Sequence, residues 1–245
     1  PMNQAPLHID VRLKRFANGH IALEGLQLDV APGEFVAVVG PSGCGKSTLL
    51  SLLAGLDEDF QGSIRGVPRE ALGMLFQEPR LMPWLSVRDN LRLVCPNVSE
   101  PRLHELLAAV DLPDVAALYP QQLSGGMARR IALARAFIVQ PRLLLMDEPF
   151  TGLDAPTATR LRAQLLQLWS QQQAAVVFVT HQLQEALALA DRVVFLSASP
   201  ARVIWQHRRE PGQVRHSDPQ AAADLAQALL ANQPDLLQGR LRPTT

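Results

Sequence analysis

The stretch FVAVVGPSGCGKSTLL, residues 35–50, decides the fold: an apolar run gives way to a glycine-rich turn, and the turn gives way to a helix. It satisfies the phosphate-loop pattern of Gly, four free positions, Gly, Lys and Ser or Thr. The fixed positions are Gly40, Gly45, Lys46 and Ser47. Residues 35–39 are typical of a buried parallel strand and residues 48–53 of the helix that follows it, so a chance match is disfavoured.

The residue types of this loop suit a phosphate. Glycines allow backbone angles closed to other residues, and consecutive N–H groups can then point at an anion. The anion would lie at a helix N-terminus, where unpaired donors and the helix dipole favour it. Lys46 adds a cation, and the Ser47 hydroxyl is placed to ligate a bridging Mg²⁺. The predicted nucleotide contacts of the loop are Gly40, Pro41, Ser42, Gly43, Cys44, Gly45, Lys46, Ser47 and Thr48.

The composition is that of a globular protein. Of 245 residues, 47% are hydrophobic and 19% charged, which is enough apolar material for a sizeable core. Lys plus Arg equals Asp plus Glu at 23 each, so no net charge would draw the protein to nucleic-acid phosphates. A DNA-wrapping role is therefore disfavoured.

Cysteine usage and hydropathy indicate the compartment. Two cysteines, Cys44 and Cys95, cannot form a disulfide framework, and we expect both as thiols in a reducing compartment. The N-terminus lacks a basic patch followed by an apolar core, which predicts no secretory signal. No apolar run approaches the roughly 18 residues that a membrane span needs, so partners would hold the protein at a membrane.

Cys44 lies inside the phosphate loop, near Lys46 and a helix N-terminus. Positive surroundings stabilise a thiolate. We therefore expect a lowered pKa for Cys44 and ready alkylation, with protection by bound nucleotide.

An antiparallel β-layer is predicted before the loop, because residues 7–11 and 23–30 alternate apolar and polar side chains. Phe16 is the only Phe, Trp or Tyr between these segments. It could stack on a nucleotide base, or it could be an ordinary core side chain.

Gln77 ends a predicted strand over residues 72–76. An amide in that position, beside a phosphate site, can bind Mg²⁺ or orient the attacking water. Pro79 and Pro83 prevent the strand from continuing, so residues 78–85 should form an irregular surface loop. The apolar side chains of this loop form either a docking surface or a cap on the core. They are Leu81, Met82 and Trp84.

Leucines at three- and four-residue spacings predict a helical insertion over residues 86–110. Further on, Ser124, Gly125 and Gly126 open a strongly helical run over residues 127–137. A serine and two glycines at a helix N-terminus can bind an anion, although the same tripeptide also makes an ordinary turn and helix cap.

Asp147 and Glu148 follow a predicted buried strand over residues 142–146. Ligands of open α/β folds bind at this carboxyl edge of a parallel sheet. Asp147 would hold Mg²⁺ through water and Glu148 would polarise the attacking water, whereas solvated loop charges are the plainer interpretation. The phosphate loop upstream and Asp154 shortly afterwards favour the functional one.

His181 ends a further apolar strand, residues 174–180, and should lie at the same sheet edge. It could donate to a γ-phosphate, or it could be structural. The alternation of helices and apolar strands predicts a parallel doubly wound sheet, closed by a hairpin over residues 192–205. The tail beyond residue 211 contains one helix, residues 221–231, and is too short for a second core.

Several motifs thus stand in one order: GPSGCGKST, Gln77, LSGGM, LLLMDEP, GLD and His181. Over residues 7–206 they resemble the nucleotide-binding subunit of an ATP-binding cassette (ABC) transporter. The resemblance implies an α/β fold: a P-loop NTPase core with a mostly parallel doubly wound sheet, an antiparallel β-subdomain and an inserted α-helical subdomain. It implies one ATPase domain, with residues 1–77 and 141–210 as core, 78–140 as helical subdomain and 211–245 as tail.

The resemblance also assigns roles. It implies ATP and Mg²⁺ as cofactors and a head-to-tail homodimer that sandwiches two ATP molecules. Each ATP would lie between the phosphate loop of one subunit and the Ser124–Gly126 signature of the other. The implied catalytic residues are Glu148, His181 and Gln77; the metal site comprises Ser47, Gln77 and Asp147; further nucleotide contacts are Phe16, Ser124, Gly125, Gly126 and Asp154.

Two segments point to a subgroup of this family. Residues 77–91 and 190–204 resemble importer ATPases of the nitrate, sulfonate and taurine group. These work with a permease, contacted here through residues 78–84, and indirectly with a substrate-binding protein, at the cytoplasmic face of the inner membrane. Met127, Gln182 and the sequence TGLD depart from the usual Gln, Asp and SALD. The alternative is a soluble cassette ATPase that acts as a switch on nucleic acid or ribosomes; such proteins commonly have two cassettes or long basic insertions, and this sequence shows neither.

Overall fold

The computed structural model describes residues 5–210 and 219–241. The parts of the predicted tail at 211–218 and 242–245 lie outside this description. The strands are β1 (Leu7–Arg15), β2 (Ile21–Val30), β3 (Phe35–Val39), β4 (Gln61–Arg65), β5 (Leu72–Leu75), β6 (Leu143–Asp147), β7 (Ala175–Thr180), β8 (Arg192–Leu196) and β9 (Val203–Arg208). The α-helices are α1 (Lys46–Leu53), α2 (Val87–Arg92), α3 (Glu100–Ala109), α4 (Gly125–Ile138), α5 (Ala155–Gln172), α6 (Leu183–Leu189) and α7 (Pro219–Asn232). Short 3₁₀ turns occupy Arg69–Ala71, Pro120–Gln122 and Leu236–Gln238.

The chain divides into two compact units. The first is drawn from Pro1–Val67 and Ala175–Thr245, and the second is Pro68–Ala174. The segment predicted as helical subdomain, residues 78–140, lies within the second unit. Its status as a separate functional subdomain stays a prediction.

The first unit contains the predicted antiparallel layer, in the order β2-β1-β4. Strand β1 extends four residues beyond the predicted end at Val11, because its pattern changes rather than stops. Lys14 is buried there and donates to Asp57 Oδ1 at 2.9 Å and to the Asp59 carbonyl at 2.6 Å. Alternation of residue type cannot identify a buried lysine, since its burial depends on partners more than 40 residues away.

The first unit also contains a second sheet segment, in the order β7-β3-β8-β9. Strand β3 is parallel to both β7 and β8, and all five of its side chains are fully buried. A parallel strand covered on both faces has this continuous apolar composition. Strand β9 pairs antiparallel with β8 and completes the predicted hairpin. The predicted α/β class, with a mostly parallel sheet and an antiparallel layer, is confirmed.

The second unit combines the parallel pair β5 and β6 with four helices. Each of α2, α3, α4 and α5 begins after a residue whose side chain accepts the backbone N–H of the third helical residue. These caps are Ser86, Ser99, Ser124 and Asp154. Such a cap satisfies one of the N–H groups that a helix start leaves unpaired, which explains where these helices begin.

The helical insertion predicted over residues 86–110 is two helices rather than one. Between α2 and α3 the chain leaves the helix, and Leu93 and Val94 are exposed. Pro96 lacks the N–H that would continue α2, and Ser99 caps a new helix instead. The leucine spacings predicted each helix but not the interruption.

The tail helix is present, with the bounds of α7, and packs on α6 within the first unit. Ala222 and Ala226 are buried on it, and Leu236 is fully buried beyond it. The tail therefore extends an existing core, as expected from its length. No helix in the part of the chain that the structure describes is both long and apolar enough to cross a bilayer.

Arg192 at the start of β8 holds the first unit together through a buried ion pair. Its Nε and Nη2 donate to the two carboxylate oxygens of Glu34 at 2.8 and 2.9 Å. The same guanidinium also donates to the carbonyl of Asp29 and to Gln206 Oε1. Both partners are largely withdrawn from water, with side-chain exposures of 6% for Arg192 and 13% for Glu34. The pair thereby ties the turn before β3 to β8.

We predict that Arg192→Met destabilises the protein by about 3 kcal/mol, because the Glu34 carboxylate loses its two short hydrogen bonds and keeps only the exposed Arg208, whose Nη1 lies 3.9 Å away. The double variant Arg192→Met/Glu34→Gln should recover most of this loss, since no unpaired charge remains. Urea unfolding of the three proteins measures both effects. A free energy of unfolding for Arg192→Met within about 1 kcal/mol of the wild type would contradict this account.

Candidate functional site

Two candidate site residues leave neighbouring strands of the first unit at the same edge. Val39 at the end of β3 pairs with Thr180 at the end of β7. Gly40 and His181 are the next residues, so the phosphate loop and the histidine start from adjacent, fully buried positions. The common sheet edge that the sequence predicted for these two residues is present.

The N-terminus of α1 differs from those of α2 to α5. Its cap is Gly45, at φ 118°, which has no side chain to accept a first-turn N–H. The helix hydrogen bonds begin with the Leu49 N–H, which donates to the Gly45 carbonyl at 2.9 Å. A helix end that is not closed by a side chain suits an external anion, because the donors and the dipole both point at it.

Lys46 supplies positive charge to the loop itself. Its residue is only 6% exposed, and Nζ donates to the carbonyls of Gly40 and Pro41 at 2.8 and 2.9 Å. An ammonium has three donors, so it can give a hydrogen bond to a phosphate while keeping contact with the loop. The lysine is thus held where its charge lies beside the first turn of α1.

The close packing around Gly45 explains why a glycine stands there. A Cβ at Gly45 would lie 2.8 Å from the Ala22 carbonyl and 2.9 Å from Leu23 Cδ2. The loop is therefore pressed against β2, and its backbone rather than its side chains lines the helix start.

The expectation for Cys44 is wrong. Its side chain is 1% exposed and turns under the loop towards Gly40, where a Cβ would lie 2.9 Å from Sγ. Burial raises the pKa of the Cys44 thiol, and the charge of Lys46 opposes this only in part. The sequence placed the thiol near a cation but could not show on which side of the loop it lies. The backbone contact predicted for Cys44 stays a prediction.

Phe16 lies in the turn that joins β1 and β2. Its N–H donates to the His20 carbonyl at 2.9 Å, and the two rings are stacked with centroids 6.2 Å apart. Lys14 Nζ lies 5.0 Å from the Phe16 centroid. The residue is 38% exposed, so it is not the ordinary core side chain of the alternative interpretation. Stacking on a base stays a prediction.

The turn after β7 is held by Thr180, which is fully buried. Its hydroxyl accepts from the Gln182 N–H at 3.0 Å and lies 3.5 Å from Glu185 Oε2. This contact fixes the backbone on both sides of His181, whose own side chain is exposed. The histidine is presented to solvent from a fixed turn.

The second unit brings three further candidates to the ends of one strand pair. Leu75 on β5 pairs with Met146 on β6, and the next residues lead to Gln77 and to Asp147 and Glu148. Gln77 is exposed, whereas Asp147 and Glu148 are half-buried. The two carboxylates are therefore not simply solvated loop charges, and they share a sheet edge with the amide.

Glu148 has an unusual backbone conformation, with φ 44° in the left-handed region. The Thr151 N–H donates to the Glu148 carbonyl at 3.2 Å, and Thr151 Oγ1 lies 3.2 Å from Glu148 Oε2. A non-glycine residue in this region is strained and needs surrounding contacts to hold it. Such residues cluster at functional sites, which agrees with the role predicted for this carboxylate.

Ser124 and Asp154 both act as helix caps in the second unit. Ser124 Oγ accepts from the Met127 N–H at 3.2 Å, and Asp154 Oδ1 accepts from the Thr157 N–H at 2.9 Å. The Thr157 N–H, followed by its hydroxyl, lowers the pKa of the exposed Asp154 carboxyl. The plain cap interpretation of Ser124 therefore holds, and its contact with a phosphate stays a prediction.

A metal site made only of acidic, imidazole and thiol side chains is absent from the described residues. Within residues 5–210 and 219–241, no group of three or more His, Cys, Asp and Glu side chains could hold a metal ion. Mg²⁺ is commonly bound by one or two carboxylates together with phosphates and water. The predicted set of a hydroxyl, an amide and a carboxylate fits that chemistry.

Two polar residues that the sequence analysis missed, one buried and one half-buried, shape the loop of residues 78–86. Asn90 is fully buried; its amide donates to the carbonyls of Met82 and Leu85, and its Oδ1 accepts the Met82 N–H at 2.8 Å. Arg135 on α4 donates to the carbonyls of Pro79 and Arg80 at 2.7 and 2.8 Å. For Asn90, the available signal in the sequence was its position next to Leu91, which is buried on a short helix.

This fixed loop presents Trp84 to solvent, with 71% of the residue exposed. Leu81 and Met82 are half-buried. The interpretation of Trp84 as a cap on the core is therefore wrong, and the docking interpretation agrees with its exposure.

Comparison with known proteins agrees with these motifs. Residues 23–151 match the sequence family described as ABC transporter. The chain is 44% identical over 239 residues to "Aliphatic sulfonates import ATP-binding protein SsuB 2" of Burkholderia cenocepacia (strain HI2424), covering 94% of this chain and 88% of the relative. It is 41% identical over 236 residues to "Aliphatic sulfonates import ATP-binding protein SsuB 1" of Xanthomonas axonopodis pv. citri (strain 306), covering 91% and 93%.

A solved structure is similar as well. "Dimeric Structure of MJ0796, a Bacterial ABC Transporter Cassette" has a TM-score of 0.73 and 28% identity to this chain. The match covers 84% of this chain and all of that one. The fold of the relative therefore extends over most of the elements described above.

We predict that Cys44 reacts slowly with N-ethylmaleimide at neutral pH, because it is buried and a raised pKa lowers its thiolate fraction. The labelling rate should increase as the pH rises towards that pKa, and the increase should occur at a higher pH than for an ordinary thiol. Peptide mass spectrometry of the Cys95→Ser variant measures the rate.

The control is the same reaction in urea, where Cys44 should react as a free thiol does. Native labelling of Cys44 at neutral pH as fast as in urea would contradict the buried position of Sγ.

Proposed function

This chain belongs to the ABC transporter family, and we propose that it is the ATP-hydrolysing subunit of a bacterial importer for an aliphatic sulfonate or a related small solute such as nitrate or taurine. As a family member it is an ATPase coupled to transport. The observation that carries the solute class is the similarity, over 94% of the chain, to a protein named for aliphatic sulfonate import. The phosphate loop, Gln77, the Ser124–Gly126 signature and Glu148 fall inside the family match over residues 23–151.

In this proposal the phosphate loop binds ATP through its backbone. The N–H groups at the start of α1, which Gly45 leaves without a side-chain cap, donate hydrogen bonds to the phosphate oxygens. Lys46 moves part of its hydrogen bonding from the carbonyls of Gly40 and Pro41 to the outer phosphates. Phe16, exposed in the β1–β2 turn, stacks on the base.

Ser47, Gln77 and Asp147 are the residues that would hold Mg²⁺, with the phosphates completing its coordination. When bound, the ion neutralises charge on the phosphates during transfer. The assignment is supported by the oxygen chemistry of the three side chains and by their places in the motifs.

Glu148 is the proposed general base. Its half-buried carboxylate orients a water and accepts a proton as the water attacks the γ-phosphorus. His181, exposed from a fixed turn, donates a hydrogen bond to the γ-phosphate and stabilises the charge that develops there. Gln77 helps to orient the same water.

The proposed active state is a head-to-tail dimer in which Ser124, Gly125 and Gly126 of one subunit contact the ATP of the other. A serine hydroxyl has one donor and two acceptor sites. Ser124 can therefore accept the Met127 N–H and at the same time donate to a phosphate. Asp154, the cap of α5, is proposed to contribute to the same composite site. That the solved cassette named above is dimeric supports a dimer for this chain.

Residues 78–84 are the proposed contact with a membrane permease. Asn90 and Arg135 fix the backbone of this loop, and Trp84 projects from it. The chain would then lie at the cytoplasmic face of the inner membrane, held by the permease, while a substrate-binding protein delivers the solute on the other side. The solute itself would be selected by those partners.

We predict that Glu148→Gln binds ATP and Mg²⁺ but stops hydrolysis, because the amide cannot accept the proton of the attacking water. ATP should then hold two subunits together, which size-exclusion chromatography detects as a nucleotide-dependent dimer. Lys46→Ala in the same background is the control and should remain monomeric. Continued hydrolysis by Glu148→Gln with no gain of dimer would exclude the assigned base.

We further predict that the protein is recovered in the membrane fraction only when its permease is coexpressed, and that Trp84→Ala reduces this recovery. Leu56→Ala is the control, because Leu56 is an equally exposed apolar residue on the other unit, at 68%. Recovery with ribosomes or nucleic acid, independent of a permease, would favour the soluble switch instead.

A further inference from the structure

Arg129 lies on α4, five residues after Ser124, and its guanidinium reaches the loop that follows β6. Nη1 donates to the Pro149 carbonyl at 3.1 Å. Nη2 lies beside Gly152, where a Cβ would be 3.8 Å from it. One side chain of the helix therefore donates to one end of the turn that begins after Glu148 and lies near its other end.

This turn carries the strained backbone of Glu148. A left-handed glutamate persists only where its surroundings hold it, and Thr151 supplies contacts to the Glu148 carbonyl and carboxylate. The next residue, Pro149, is buried and has no N–H, so its carbonyl is its single backbone hydrogen-bonding group. Arg129 donates to that carbonyl, and so fixes the peptide between Pro149 and Phe150, one residue after Glu148.

Arg129 is half-buried and has the carboxylate of Glu78 nearby. Burial lowers the pKa of Arg129 from its ordinary value, and the nearby carboxylate of Glu78 opposes that effect. A guanidinium stays protonated at neutral pH. Arg129 is therefore a permanent cation between the turn after Glu148 and the residue that follows Gln77.

We propose that Arg129 is a positioning residue for ATP hydrolysis: it holds the turn of residues 148–152 against α4, so that the orientation of the Glu148 carboxylate depends on the helix that begins at Ser124. The inference rests on the proposed function, in which Glu148 is the general base and Ser124 contacts the partner's nucleotide. Arrival of that nucleotide at α4 is then transmitted to the base through one arginine. Arg129 does not touch the reacting atoms.

Arg130 provides a matched control on the same helix. It is also half-buried, and its Nη1 donates to the Val110 carbonyl at 3.1 Å. Burial lowers its pKa in the same way. Its Nη1 holds the segment after α3, which carries none of the proposed catalytic residues, and its Nε lies 3.4 Å from the Gly126 carbonyl one turn earlier in α4. Loss of Arg130 therefore reports the general cost of removing a buried arginine from α4.

The experiment compares Arg129→Met and Arg130→Met in steady-state hydrolysis of MgATP by the full chain, with urea unfolding as the measure of stability. We expect Arg129→Met to lower kcat by about 10- to 100-fold, because a misplaced base loses rate steeply. The KM for ATP should change by less than about twofold, since the phosphate loop is untouched. Arg130→Met should lose stability to a similar extent but retain kcat.

Arg129→Lys keeps the proposal testable if Arg129→Met does not fold. An ammonium can reach the Pro149 carbonyl but cannot also lie along Gly152, so we expect an intermediate kcat, whereas Arg130→Lys should match the wild type. Equal kcat values for the two Met variants, or for the two Lys variants, would overturn the positioning role. A wild type without hydrolysis would instead count against the proposed function.

Discussion

The parallel pairing of β3 with β7 and β8 is the constraint on which the first unit depends. All five residues of β3 are fully buried, and both neighbouring strands supply its backbone partners. A one-residue slip would move each side chain of this strand to the opposite face, where it would have to fit a different close-packed environment. The phosphate loop therefore leaves the sheet from a fixed point, and His181 leaves from the neighbouring strand at the same level. The buried pair of Arg192 and Glu34 fixes the opposite end of these strands.

The residues that cap the helix N-termini explain why α1, and not α2 to α5, is suited to bind the phosphates. In the second unit, α2 to α5 are each closed by a serine or aspartate side chain, which satisfies part of the N–H groups locally. In the first unit, α1 starts at a left-handed glycine without such a group. The difference leaves α1 suited to an external phosphate, while Ser124 can combine the roles of cap and donor because a hydroxyl does both.

Much of the second unit is held by long polar side chains that donate to backbone carbonyls. Three arginines of α4 fix three different loops: Arg129, Arg130 and Arg135. Asn90 does the same for the loop that carries Trp84. Loops have few backbone partners of their own, so such donors decide their shape. One helix thereby links the turn after Glu148 to the surface proposed for the permease.

The sequence by itself determined most strands, most helices and the order of the motifs, because these depend on local periodicity, glycine and proline positions and helix caps. It identified β3, the start of α4 at Ser124 and the two carboxylates, Asp147 and Glu148, at the end of β6. It did not determine the burial of Lys14, the side of the loop on which Cys44 lies, the left-handed backbone of Glu148 or the contact between Arg129 and Pro149. Tertiary structure decided these, because each depends on groups brought together from distant parts of the chain or on how a loop packs against its own surroundings. A pKa, in particular, follows from burial as much as from neighbouring charge, and burial is a property of the packed fold.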